Sequence, residues 1–176
     1  MYRLHYIYVD VKMKFFFESL TNIKTVWAIL PFSKDSCKST VECIVNFLWW
    51  NPQNIVEIWG WDGTMTEYLL THFPISTITT YEIQKNFVEI LQSMAYTNLI
   101  VKYQNATKIA QNEKNIDCFI NTIPLTNISY KEWATMIDWV FDTLKKNWIF
   151  IIVQYSHYFS YKFGDKLQRF SLIWKT

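Results

Sequence analysis

The reading of the fold turns on Ile55-Val56-Glu57-Ile58-Trp59-Gly60-Trp61-Asp62-Gly63-Thr64-Met65-Thr66 and, just beyond it, Thr77-Ile78-Thr79-Thr80-Tyr81-Glu82. A short apolar run after Pro52 enters a turn that holds two of the chain's three glycines. Residues 65–71 then take helical spacing, and a β-branched run ends on Glu82, 19 residues after Gly63. Strand, turn, helix and strand at this spacing make a βαβ unit. Ligands of such sheets bind outside the carboxyl ends of the strands. A turn after the first strand lets backbone approach a nucleotide-like ligand, and a carboxylate at the tip of the second can accept bonds from ribose hydroxyls. A strand-end glutamate alone is usually a solvated charge; the turn at the right distance lifts Glu82 above that.

The alternation continues downstream. The spacing predicts a helix over 84–95, with Phe87, Ile90, Leu91 and Met94 on one face. Leu99-Ile100-Val101 and Ile116–Ile120 read as strands. A long helix follows over 130–146, with Trp133, Met136, Ile137, Val140, Phe141 and Leu144 as its apolar stripe. Residues 149–155 are the last strong strand, and 170–174 form one more. Upstream, 33–49 look helical, with Ser33 as cap and Val41, Ile44, Val45 and Leu48 sharing a face. Residues 13–24 place Phe15, Phe16, Phe17 and Leu20 beside Lys12, Lys14 and Lys24, as in a short amphipathic helix. Residues 1–12 alternate loosely and form an N-terminal extension, either an extra strand or a tail, ahead of a single domain over 13–176. The class is α/β with a mostly parallel sheet.

Composition narrows the function classes. A net charge of +2 and 51% hydrophobic residues suit one globular domain with a sizeable core. That charge argues against a strongly electrostatic nucleic-acid protein. No apolar run reaches the roughly 18 residues that cross a bilayer. The N-terminus lacks the charge, apolar run and cleavage site of a signal peptide, so the expected location is cytoplasmic. Cys37, Cys43 and Cys118 are an odd number and form no zinc pattern with the three histidines. They read as reduced, buried thiols, and no metal is expected.

These elements and motifs resemble the class I S-adenosylmethionine (SAM)-dependent methyltransferases over about residues 15–176. Within that family the likeness is greatest to bacterial phospholipid N-methyltransferases, with rRNA adenine dimethyltransferases as relatives. The family carries Val-Glu-Leu-Gly-x-Gly-Thr-Gly-x-x-Thr, and Glu57 to Thr66 matches it in register. Glu82 fits its acidic strand end, and Asn105-Ala106 stands for its Asp-Ala. Asn121-Thr122-Ile123-Pro124-Leu125 stands for Ser-x-Leu-Pro-Leu. Trp27-Ala28-Ile29-Leu30-Pro31-Phe32-Ser33 stands for Gly-Ala-Ile-x-Pro-Ser-Ser, and Trp148–His157 for the Gly-x-Phe-Val-Gln-Phe-Thr-Tyr strand. The implied fold is Rossmann-like, a mostly parallel sheet with helices on both faces. The family usually continues past the position of Trp174, so the resemblance implies either that the last edge strand is missing or that the chain is truncated.

The resemblance also assigns roles. Glu57, Trp59, Gly60, Trp61, Asp62 and Gly63 would pass under the methionine part of SAM, and Glu82 would hold the ribose. Asn105 would meet the adenine amino group between Ile83 and Ala106. Asn121, Pro124 and Tyr155 are the implied catalytic group beside the acceptor nitrogen. Pro31, Ser33, Thr122, Ile123, Leu125 and Ser156 would line the acceptor site. Transfer would be direct and in line, with the acceptor lone pair about 3 Å from the activated methyl. His157 is a candidate base by position only, and a packing histidine is the commoner case. The first acceptor is a phospholipid amine of the phosphatidylethanolamine type. Residues 12–24 would then touch the inner face of the membrane. The alternative is an RNA adenine N-methyltransferase. Against it stand two arginines, Arg3 and Arg169, and Leu125 where such enzymes have an aromatic residue. Oligomeric state is open.

Tryptophan is where the chain departs from the family. Trp59, Trp61 and Trp27 fall on family glycines, and Trp148 follows a predicted helix end where the family has Gly-Gly. The chain has three glycines and nine tryptophans, together the roughly dozen glycines of an average chain this long. UGA is read as tryptophan in one alternative code and as glycine in another. Glycine at these positions, and at Trp49-Trp50, would restore the family pattern; Trp133 and Trp139 lie in a helix and stay ambiguous. If all nine tryptophans are real, the chain is a methyltransferase-like binding module with no activity.

Overall fold

The computed structural model describes residues 5–11, 34–106, 113–123, 129–155 and 171–175. Seven strands form one sheet: β1 (His5–Val11), β2 (Asn54–Ile58), β3 (Thr77–Glu82), β4 (Leu99–Tyr103), β5 (Ile116–Asn121), β6 (Leu144–Tyr155) and β7 (Ser171–Lys175). Their order is β4-β3-β2-β5-β6-β1-β7, and every pairing is parallel. The helices are α1 (Lys34–Phe47), α2 (Thr64–His72), α3 (Lys85–Ser93) and α4 (Tyr130–Thr143).

The central strands are buried on both sides, which is why they read as near-continuous apolar runs. Alternate residues serve opposite faces. Ile55, Ile78, Cys118, Ile120, Ile149, Ile151 and Val153 pack with Val41, Ile44, Leu48, Leu69 and Leu70 of the α1–α2 side. On the other face Phe150 stacks on Trp133 of α4, with ring centroids 6.4 Å apart. Helices therefore cover both faces, as the sequence led us to expect. α4 begins with a capping box: Glu132 accepts the Ser129 N–H at 2.9 Å, and the Ser129 hydroxyl reaches the Glu132 N–H at 3.3 Å.

Several expectations need correction. Val45 points to solvent, because Cys37 and Cys43 complete the buried face of α1 instead. In α3 the buried residues are Val88 and Leu91, while Ile90 is exposed, so the helix is rotated relative to the predicted stripe. The long helix ends at Thr143, and Leu144 already belongs to β6, so Trp148 lies inside a strand and not at a helix end. Its predicted need for a glycine-type turn therefore disappears. Of the two readings of the N-terminal extension, His5–Val11 is a strand, inserted between β6 and β7. Ser171–Lys175 forms the outer strand of the sheet, pairing with β1. The three cysteines are buried free thiols.

The chain leaves β2 outward through β3 and β4, then returns to the other side of β2 with β5. The carboxyl ends of β2 and β5 thus meet at the point where the winding reverses, the preferred ligand site of such sheets.

Candidate functional site

The turn after β2 is fastened to both neighbouring strands. The Trp59 and Gly60 N–H groups donate to the Tyr81 carbonyl at 2.8 and 3.3 Å. The Trp61 N–H donates to Glu82 Oε2 at 3.0 Å. On the other side, the Thr122 hydroxyl lies 2.6 Å from the Ile58 carbonyl and 2.8 Å from that of Trp59. Gly63 then caps α2, with its carbonyl accepting the Glu67 N–H at 2.8 Å. Asp62 Oδ1 accepts the Thr64 N–H at 3.1 Å.

The backbone of this turn is left-handed at three of five consecutive residues: Trp59 (φ 74°), Trp61 (φ 43°) and Gly63 (φ 81°). The residue between the two tryptophans is constrained by space. A Cβ on Gly60 would sit 2.2 Å from Thr80 Oγ1 and 2.9 Å from Leu91 Cδ1. The two indoles stack, with centroids 5.4 Å apart and planes 9° from parallel. Trp61 is buried, its ring edge-on to Phe87 of α3 at 6.0 Å. The indoles thus occupy the space above the strand ends, between the turn and the start of α3.

Beneath the turn lies Glu57, fully buried, its Oε2 accepting the Thr66 hydroxyl at 2.5 Å. Burial pushes its carboxyl up to about 7, against the pull of the Thr66 and Thr80 hydroxyls. Glu57 therefore supports the turn from below and does not reach the surface. Glu82, at the tip of β3, is also buried, and its Oε1 accepts the Ile83 and Gln84 N–H groups at 2.7 and 2.8 Å. Both lone pairs of Oε1 are thereby engaged, whereas Oε2, which accepts only the Trp61 N–H, keeps a second lone pair.

The structure brings the other expected residues together in part. Ile83 is exposed beside Glu82, while Asn105 is exposed and Ala106 buried just past β4. Asn121 ends β5 opposite Ile58, fully buried. Its Oδ1 accepts the Ile123 N–H at 3.1 Å, and its Nδ2 finds no partner. Thr122 is buried at the turn, and Tyr155 ends β6. Pro31, Ser33, Pro124, Leu125, Ser156, His157, Trp27 and residues 12–24 lie outside the described residues.

Sequence reasoning missed two neighbours. Phe87, read as part of an apolar stripe, forms the wall against which Trp61 packs. Glu113 accepts the Tyr81 hydroxyl at 2.5 Å and pairs with Lys102, beside the tip of β3. Burial, then Glu113, raises the Tyr81 phenol above its ordinary range. Glu113 is 31 residues beyond Glu82 in the chain, so no local pattern announces it.

No protein-family profile matches the chain, and no curated protein sequence does. Solved structures do. The sugar N-methyltransferase KedS8 from Streptoalloteichus sp. ATCC 53650 superposes with a TM-score of 0.56 at 11% identity, over 66% of this chain and 46% of that one. The fold is that of the class I methyltransferases. The plantazolicin methyltransferase BpumL, in complex with a desmethylPZN analogue and SAH, gives a TM-score of 0.54 at 12% identity, over 62% of this chain and 42% of its own. Coclaurine N-methyltransferase, bound to N-methylheliamine and SAH, gives 0.53 at 10%, over 69% and 37%. This chain matches less than half the length of each of these three. Among the described residues, no helix is long and apolar enough to cross a membrane.

Proposed function

We propose that the chain belongs with the SAM-dependent N-methyltransferases and acts on a phospholipid amine. One observation carries the cofactor half of this reading. At the winding reversal of a methyltransferase fold, a left-handed turn is bonded through its own N–H to the carboxylate at the tip of the next strand. A tight backbone turn of that kind, beside an acidic strand end, suits a ribose and an extended amino-acid chain. The acceptor half rests on the likeness of Asn121–Leu125, Pro31-x-Ser33 and Gln154-Tyr155-Ser156 to the phospholipid branch. The basic, Phe-rich residues 12–24 suit an anionic membrane surface.

The side chains present do not fit the cofactor. The Trp61 indole is buried against Phe87 beside the turn, and the Trp59 indole stacks on it, where the cofactor's chain and base would lie. No transfer step is derived through SAM for the chain in this form. The same stacked indoles carry a second reading, a methyltransferase-like binding module without activity.

The experiment uses the W59G/W61G double variant with methyl-labelled SAM, offered phosphatidylethanolamine vesicles or RNA. Label recovered in the lipid, and enhanced by anionic lipid, is the expected result. Label in RNA with a steep salt dependence would replace the acceptor. A folded variant that neither binds SAM nor labels either acceptor would overturn the enzyme reading.

A further inference from the structure

We infer that the working protein carries glycine, and not tryptophan, at positions 59 and 61. The backbone argues this independently of any family pattern. Left-handed φ is the natural habit of glycine, because a Cβ there crowds the following carbonyl oxygen. Among the described residues five have positive φ: Trp59, Trp61, Gly63, Ala95 and Asn115. Three of them fall within one five-residue turn. Asparagine tolerates this conformation through its short polar side chain; an indole has no such help. At Gly60 the neighbouring Thr80 and Leu91 leave no room for a Cβ. The turn thus asks for glycine at 59, 60, 61 and 63, and the chain supplies it at two of the four.

The turn has no freedom to evade this demand. The N–H groups of Trp59, Gly60 and Trp61 are all committed to β3, and the Trp59 carbonyl is held by Thr122. All of these bonds involve the backbone of the turn, so glycine at 59 and 61 preserves every one. The inference is also selective. Trp49 and Trp50 are exposed but take ordinary φ, and Trp133 fills a helical core position, so none of these three needs glycine. Composition supplies the route: a UGA codon translated as tryptophan in a gene whose own code reads it as glycine.

The consequence reaches the site. Glycine at both positions removes the stacked indoles that lie between the turn and Phe87. Phe87 would supply an apolar wall and Glu82 Oε2 a carboxylate oxygen with a lone pair to spare, which suits a ribose bearing an aromatic base. This consequence, unlike the glycine assignment, rests on the cofactor reading proposed above.

The test reads the residues directly. The gene is sequenced at codons 59 and 61, and the protein purified from its own cells is digested and the peptide spanning the turn is weighed. UGA at both codons and a peptide lighter by two indole-bearing side chains are expected. Tryptophan at either position in that peptide overturns the inference. The same native protein is then titrated with S-adenosylhomocysteine (SAH). Glycine at both positions without SAH binding leaves this inference standing and removes the cofactor reading, so the two failures are distinguishable.

Discussion

Trp133 and Trp61 are both buried aromatic residues, and the fold treats them in opposite ways. Trp133 sits in helical backbone, wholly enclosed, stacked on Phe150 across the face of the sheet. Trp61 sits in left-handed backbone, stacked on a second left-handed tryptophan at the mouth of the sheet. Burial alone would class both as core. Backbone conformation separates them: the helix accepts an indole at no cost in φ, while the turn pays for each one. A side chain can be well packed in a place built for no side chain at all.

The largest effect should come from the helix. W133A opens a cavity between α4 and β6, and the expected loss is about 3–5 kcal/mol. Thermal unfolding followed by circular dichroism measures it, at roughly 2–4 °C per kcal/mol for a chain of this size. A loss below about 1 kcal/mol would break the comparison, because Trp133 would then be no better housed than Trp61.

The next effect comes from the floor of the turn. The Glu57 carboxyl is raised from 4.5 to about 7 by burial, so the folded chain holds a proton that the unfolded chain has released. Stability is therefore full below about pH 4.5 and falls as pH rises through about 7, by an amount on the order of 3 kcal/mol, then levels off. Urea unfolding between pH 4 and 8 measures the slope. E57Q keeps an acceptor for the Thr66 hydroxyl and removes the proton, so its profile should lose this component. An unchanged profile would assign the slope to another group.

The turn itself should respond least. Relief of left-handed strain is worth about 1–2 kcal/mol per residue, offset by the lost indole contacts and by the flexibility of glycine in the unfolded chain. W59G, at the partly exposed position, should raise stability by up to about 1 kcal/mol. W61G should stay near neutral, far from the cost of W133A. A large loss in W61G would show the indole to be a true core residue.

A smaller check concerns the thiols. Burial, with help from Glu57 and Asp62, raises Cys37 to about 12, and burial also raises Cys118. Alkylation at pH 8 should be slow at both until the chain unfolds, with peptide mass spectrometry as readout.

Much of this fold was legible because its signals are local. The β2–turn–α2–β3 unit and the apolar run of β5 each lie within a few turns of chain. The place of β1 between β6 and β7 was not legible, since nothing in residues 5–11 names their partners. The rotation of α3 was hidden because Phe87 and Ile90 match helical spacing as well as Val88 does. Of the candidate site, the turn holding Gly60 and Gly63 and the strand-end Glu82 stood out by spacing, and Glu57 only through the family resemblance. The Thr122 bonds to the turn and the Glu113–Lys102 pair were not, because they join segments distant in sequence. The misfit of Trp59 and Trp61 was visible as a departure from a pattern; its physical cause needed the φ angles.

The most direct test of the central claim, that residues 59–63 form a glycine turn built for a cofactor, is calorimetric titration with SAH. The chain with Trp59 and Trp61 is compared with the W59G/W61G variant, both shown folded by circular dichroism. The expected result is saturable binding by the double variant and none by the tryptophan form. Equal binding by both, or no binding by the folded double variant, would contradict the claim.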